Sequence, residues 1–184
     1  MAVTFSASGT ASAGGVQQSY ALTHTALLEG QLSDARNNTV GTYVNETGAV
    51  LAFGNGSAYN AGGTVANSLK TLAASGDTFI GVNVLTYVDE TNRDANSRPG
   101  VKTAQLANVI NQGAVAVYVH GSVNPTTVVR VIHTATGVKY AGQFTSAAIT
   151  GKSAVLTNAR YLNTVASGLA ILELNGPSFN LTGD

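Results

Sequence analysis

Residues 114–120 read AVAVYVH and residues 78–87 read TFIGVNVLTY, two short stretches in which β-branched and aromatic residues alternate with other types. Alternation with a period of two is typical of a β-strand, whose side chains point to opposite faces in turn. The first stretch places Val115, Val117 and Val119 on one face. The second places two sets on opposite faces: Ile80, Val82 and Val84 against Phe79, Leu85 and Tyr87.

Other short apolar segments on both sides of these two also predict strands. They are residues 48–53, 105–110, 126–133, 139–144, 154–157 and 169–174, and glycine, asparagine and proline separate them. Gly113, for example, separates residues 105–110 from residues 114–120. Many short strands at this spacing are typical of a sandwich or a barrel. We therefore predict an all-β fold, a small β-barrel or a jelly-roll-like β-sandwich.

One short helix is expected before the main run of strands. Thr64 is a possible N-cap, Val65, Leu69 and Leu72 have helical spacing, and Gly76 follows as a stop signal. The predicted organisation is an extended N-terminal arm over residues 1–27, a transitional segment with a short strand and this helix over residues 28–75, and a β core over residues 76–184.

The composition excludes several classes of partner. Nine basic and nine acidic residues give a net charge of zero, and only 10% of the 184 residues are charged. Nucleic-acid binding and polybasic membrane binding depend on clustered lysine and arginine, so neither partner is expected. Thiol chemistry and disulfides are excluded because the chain has no cysteine. A neutral surface favours association with other proteins.

The N-terminal arm is rich in serine, alanine and glycine, which offer little apolar surface with which to close a core. Val3, Phe5, Val16 and Tyr20 are spaced widely enough to act as separate anchors on a partner protein or on a neighbouring subunit. The candidate contact residues are Val3, Phe5, Val16, Tyr20, Leu27 and Leu28.

No pattern in the sequence predicts a catalytic residue, a cofactor site or a metal site. His120 and His133 lie at the ends of two predicted strands, and if these form a hairpin the two rings are roughly 20 Å apart. That distance is too long for a shared metal and favours solvent-facing histidines. The loop at residues 89–96 has oxygen-bearing side chains at alternate positions, but Ala95 and Val101 stand where a calcium loop needs glycine and glutamate.

Several motifs resemble the structural cement proteins of tailed-phage capsids. They are LEGQLSD at residues 28–34, NETG at 45–48, VLAFG at 50–54, GDTFIGV at 76–82 and GAVAVYV at 113–119. The resemblance implies a non-enzymatic decoration protein that needs no cofactor. Such a protein binds the outer surface of a phage head, where it stabilises contacts between capsomers built from a major capsid protein of the HK97 type.

The resemblance also implies a homotrimer, with a dimer as the other oligomer considered, and a location on the virion after synthesis in the host cytoplasm. The alternative function is a receptor- or glycan-binding β module of a phage tail or cell surface. Its candidate contact residues are Tyr87, Asn92 and Asp94.

Overall fold

The computed structural model describes residues 27–33, 38–86, 92–176 and 179–184, and within these ranges the chain forms β-strands and no helix. In chain order the strands are β1 (Thr39–Asn45), β2 (Leu51–Ala52), β3 (Gly56–Tyr59), β4 (Ser68–Thr71), β5 (Phe79–Asn83), β6 (Gly100–Val101), β7 (Leu106–His120), β8 (Arg130–Ile132), β9 (Phe144–Thr145), β10 (Ser153–Leu156), β11 (Ala159–Tyr161), β12 (Gly168–Asn175) and β13 (Leu181–Gly183). Eleven of them join one sheet, and β2 pairs with β6 separately. The prediction of an all-β fold is confirmed. The described residues include no helix that could cross a membrane.

Five strands form a small closed barrel. Their order is β1–β4–β3–β5–β7, and β7 also pairs with β1. The β1–β4 pair is parallel and the other four pairs are antiparallel. One apolar cluster joins side chains of these strands to the β2–β6 ladder; its buried members are Leu51, Phe53, Leu69, Val101, Ala107 and Val109. The small barrel predicted from the spacing of the strands is therefore present.

Strand β7 links the barrel to the rest of the sheet. Its first half pairs with β1 and β5, and its second half pairs with β12 and, in parallel, with β9. The sheet continues from β9 through β8 and β10 to β13, and from β12 to β11. The prediction that Gly113 separates two strands is wrong, because Gly113 pairs with Leu174 inside the continuous ladder.

The larger apolar core lies along this second half of the sheet. Val115, Val117 and Val119 are fully buried in it, on one face as predicted. Phe144, Tyr161, Leu172 and Leu174 are buried in the same cluster.

A β-bulge in β5 reverses part of the predicted alternation. Ser57 pairs with Gly81, but the next residue, Ala58, pairs with Phe79, so Ile80 is an extra residue in the ladder. One extra residue turns the preceding side chain to the opposite face. Phe79 consequently packs in the larger core with Val82 and Val84, whereas Ile80 and Leu85 pack against the barrel cluster. Glycine is required at position 81, where φ is 149° and a Cβ atom would lie 2.1 Å from the Ile110 carbonyl oxygen.

The predicted helix after Thr64 is wrong, since residues 68–71 form β4. A helix of about ten residues is marginal without packing, and here the same residues gain two ladder partners, β1 and β3. The helical spacing placed Val65, Leu69 and Leu72 on one face. In the structure, Leu69 on β4 is buried in the barrel cluster, Leu72 just after β4 is buried in the larger core, and Val65 before β4 is exposed.

Candidate functional site

Two of the candidate contact residues, Leu27 and Leu28, lie in the first described segment. Leu27 is partly buried, and Leu28 is 59% exposed. They line a hollow of about 260 Å³ together with Glu29, Phe53, Leu85, Arg98, Pro99 and Leu169. Val3, Phe5, Val16 and Tyr20 lie outside the described residues. The hollow therefore lies beside the first described residues of the chain.

A tight turn holds Leu28 at the rim of this hollow. The Gln31 N–H donates to the Leu28 carbonyl oxygen over 3.0 Å, and the Gln31 side-chain oxygen accepts from the Leu28 N–H over 3.1 Å. Gly30 fixes the turn to the sheet, since its N–H donates to Ala116 and its carbonyl oxygen accepts from Leu85, both over 2.8 Å. With a φ of 79°, and with the Leu85 nitrogen 2.8 Å from any added Cβ, position 30 requires glycine.

Arg98 is the polar centre of the hollow. Its guanidinium donates to one oxygen of Asp94 through Nε over 2.9 Å and through Nη2 over 2.7 Å. Nη1 donates to the Asn55 side-chain oxygen over 3.1 Å and lies 4.0 Å from a Glu29 oxygen. The guanidinium also lies 5.2 Å from the centroid of the Tyr140 ring. This one side chain thus connects its own loop to three other segments, at Glu29 in the turn, at Asn55 and at Tyr140.

The carboxyl group of Glu29 has a perturbed acidity. Partial burial raises its pKa, the nearby Arg98 charge lowers it, and the Asp94 charge raises it again, with a net increase. A single carboxyl group that already faces an arginine, with no nucleophile among the residues lining the hollow, provides no acid–base pair for catalysis. The hollow is therefore mostly apolar, with Arg98 and Glu29 on its polar side.

A second, more open groove of about 530 Å³ lies at one end of the barrel. It is lined by Val44, Asn45, Glu46, Gly48, Asn60, Gly62, Gly63, Thr64, Val65, Thr103 and Ala104. Its carboxylate, Glu46, accepts hydrogen bonds from the Thr64 hydroxyl, from the Thr64 N–H over 3.0 Å and from the Asn60 amide over 3.4 Å. The bond from the Thr64 hydroxyl is the main cause of the lowered pKa of Glu46. These bonds tie the carboxylate to the loop at residues 60–64.

The two strand-end histidines are not arranged as the sequence suggested. Strand β9 lies between β7 and β8, so the hairpin considered for these strands does not form. His120 contacts the Gln143 side-chain oxygen through Nε2 over 2.8 Å, and His133 contacts the Thr134 hydroxyl through Nδ1 over 3.0 Å. His133 is buried, contrary to the expectation of a solvent-facing ring, since the backbone around it joins β8 to β10.

The described part of the loop before β6, residues 92–99, includes two residues that were considered for a calcium or glycan site, Asn92 and Asp94. Asp94 uses both carboxylate oxygens on Arg98 and on the N–H groups of Asn96 and Arg98. Asn92 is buried, and Tyr87 lies outside the described residues. Within the described ranges, no three acidic or histidine side chains come together as a metal site.

Leu27 and Leu28 line the first hollow and were predicted from the sequence as contact residues, a role that stays a prediction. Arg98, Pro99 and Leu169 also line the hollow, and the sequence analysis did not single them out as contact residues. The available signal was the spacing of Asp94 and Arg98 across a turn, which is typical of an ion pair that stabilises a loop.

The comparisons with known proteins agree with this structure. A family model described as structural cement protein (E217 gp24/Pam3 gp6) matches residues 16–175. The fold is similar to that of a chain in the structure entitled "The capsid of Myoviridae Phage XM1", with a TM-score of 0.61 and 20% identity over 91% of this chain and 99% of the other. No curated protein matches significantly. The family supports a capsid cement role and not the receptor- or glycan-binding alternative. Because the family model spans most of the chain, this protein belongs to the phage structural cement protein family.

Proposed function

We propose that this cement protein binds the outer surface of a phage head, where it bridges neighbouring capsomers built from a major capsid protein of the HK97 type. We further propose that it acts as a homotrimer, with a dimer as the second candidate, and that it reaches the virion after synthesis in the host cytoplasm. The observation that carries the proposal is the family match over residues 16–175.

The described fold supports a binding role without catalysis. Every acidic side chain in the described ranges is engaged with other groups of the protein. Five of the six form ion pairs, and Glu46 accepts the hydrogen bonds from Thr64 and Asn60. What the surface offers instead is scattered apolar area; the exposed large apolar residues are Leu28, Val40, Tyr59, Val65, Leu106, Val128 and Val138.

The arm at residues 1–27 is proposed as the part that extends beyond the fold to a shell protein or a neighbouring subunit. Its proposed anchors are Val3, Phe5, Val16 and Tyr20, and the hollow beside Leu27 and Leu28 continues the same contact surface on the fold. An extended chain of 20 residues spans at most about 70 Å, which is enough to cross a subunit boundary.

Co-sedimentation with expanded capsids that lack the protein tests this function. We expect saturable binding and a higher melting temperature for the decorated capsids. Leu28→Asp should weaken binding, because it places a charge at the rim of the apolar hollow. Val138→Asp is the matched control, since Val138 is even more exposed and does not line the hollow. Absence of binding, or binding without any gain in capsid stability, would contradict the cement role.

Deletion of residues 2–20 tests the arm. The shortened protein should keep the melting temperature of the full chain and lose capsid occupancy or its oligomeric state. A shortened protein that decorates capsids with full affinity and remains associated would show that the arm is dispensable.

A further inference from the structure

Among the described residues, one side of strand β1 has a neighbouring strand along only part of its length. The neighbouring β4 pairs with β1 only at Val44 and Asn45, whereas β7 pairs with β1 from Thr39 onward. The Asn45 N–H donates to Gln105 beside β7 over 2.9 Å, and the Val44 N–H donates to Asn67 on the opposite side over 2.8 Å. Successive residues of a strand direct their backbone groups to alternate sides.

This alternation determines which backbone groups are available. Val40 and Thr42 have the same parity as Val44, so their N–H and C=O groups point away from β7. No described strand pairs with them on that side. We call this side of residues 40–43 the β1 edge.

The β1 edge lacks two of the features that protect an exposed strand. Residues 39–43 read TVGTY and contain neither a charged residue nor proline, which are the common means of preventing edge-to-edge pairing. Val40 is 41% exposed, and Leu106, which pairs with Val44 at the other end of the same ladder, is 66% exposed. An uncharged edge flanked by exposed apolar side chains is suited to accept another strand.

We propose that the β1 edge accepts residues 2–6 of a second copy of this chain as an added strand. These residues read AVTFS, with the alternation of a strand and no charge, and no charged side chain occurs anywhere in residues 1–20. The 20 residues between this segment and Leu27 reach at most about 70 Å, enough to cross to a neighbour.

An exchange of strands between copies explains why one chain carries both the β1 edge that accepts a strand and the segment at residues 2–6 that is donated. A copy that donates its segment and accepts another closes a dimer or a trimer in which every β1 edge is covered. The inference rests on the proposed function only in treating the arm as a contact between subunits, and it can be tested without capsids.

Sedimentation velocity on the full chain provides the first test. We expect a concentration-dependent oligomer whose dissociation constant rises at least tenfold for Val40→Lys, because a charged side chain on the edge opposes strand addition. Val138→Lys, which changes a side chain that is 73% exposed elsewhere, should associate like the unmodified protein. A chain that is monomeric while binding capsids would overturn the inference and leave the proposed function standing.

The absence of native cysteine permits a direct second test. Protein carrying Thr4→Cys is mixed with protein carrying Thr42→Cys and treated with a short bismaleimide. We expect a covalent adduct between the two variants that is lost when Val40→Lys is added. A chain that carries both substitutions reports cross-linking within one copy. No adduct between the two single variants, or cross-linking only within chains that carry both substitutions, would show that the edge does not receive a neighbour's arm.

Discussion

Replacing Arg98 by methionine should destabilise the protein by about 3 kcal/mol. Methionine retains most of the length of the side chain, so the change removes the charge and the hydrogen bonds more than the packing. The variant loses the two contacts to Asp94, the contact to Asn55 and the position over the Tyr140 ring. Because these contacts connect the loops around residues 27–30, the loss should affect the whole wall of the hollow.

The expected loss of stability is large because the ion pair between Arg98 and Asp94 is mostly buried. Hydrogen bonds to charged groups contribute about 1.5–3 kcal/mol, and a buried carboxylate that loses its arginine costs about 3–5 kcal/mol. The Arg98 and Asp94 side chains are only 17% and 10% exposed, so solvent compensates little of the loss. In a chain of this size, about 3 kcal/mol corresponds to a decrease in melting temperature of about 6–12 °C.

Arg160→Met is the matched control, because it removes an arginine from another ion pair, with Glu173. The Arg160 side chain is 62% exposed, and such pairs contribute at most about 1 kcal/mol. Urea denaturation followed by circular dichroism measures both free energies of unfolding. Asp94→Asn in the Arg98→Met background should cost little more, since the carboxylate has already lost its partner. Equal destabilisation by the two arginine variants would refute the assignment of Arg98 as the polar centre of the hollow.

Three further predictions concern the core, the pH dependence and the interface. Val117→Asp should leave no soluble folded protein, because it buries an unpaired carboxylate, whereas Val138→Asp should express and melt normally; a normal melting curve for the first variant would contradict the core assignment. The pKa of Glu29 is raised by burial, so its contribution to stability is complete below about pH 4.5 and is lost as the pH rises through the raised pKa. Glu29→Gln should therefore gain stability over the unmodified protein at neutral pH but not near pH 4, and unfolding titrations in which the difference does not depend on pH would disprove this. Binding to capsids should change little between low salt and about 0.5 M salt, as measured by co-sedimentation, and a collapse of occupancy would show that ion pairs dominate the interface.

The sequence predicted the strands well where alternation and burial agreed, and failed where one backbone irregularity intervened. Val115, Val117 and Val119 alternate without interruption, and they are buried on one face. Phe79 was assigned to the wrong face because the alternation of side chains in the sequence does not reveal the extra residue of a bulge. The helix prediction failed because residues 68–71 gain more from two neighbouring strands than from an isolated helical turn.

In the candidate site too, residues could be predicted where the neighbouring sequence carried the signal and not where the signal depended on tertiary contacts. Leu27 and Leu28 could be proposed because they are apolar residues next to a segment that cannot form a core. Arg98 could not, since Glu29 and Asn55 reach it only after the sheet has brought three distant parts of the chain together. Contacts that depend on tertiary structure leave little trace in a single sequence.

The arrangement of charges explains how a protein with so few of them can act as a cement. Five of the six described acidic side chains are paired inside each copy, with Lys70, Arg98, Arg130 and Arg160, and the sixth, Glu46, accepts hydrogen bonds from Thr64 and Asn60. The five paired carboxylates therefore add little repulsion between copies of the protein, and their desolvation opposes binding little. We propose that affinity comes mainly from apolar area and backbone hydrogen bonds, at the hollow beside Leu28 and at the β1 edge. A contact of this kind depends on shape more than on ionic strength, so each copy can remain attached while the salt around a virion changes.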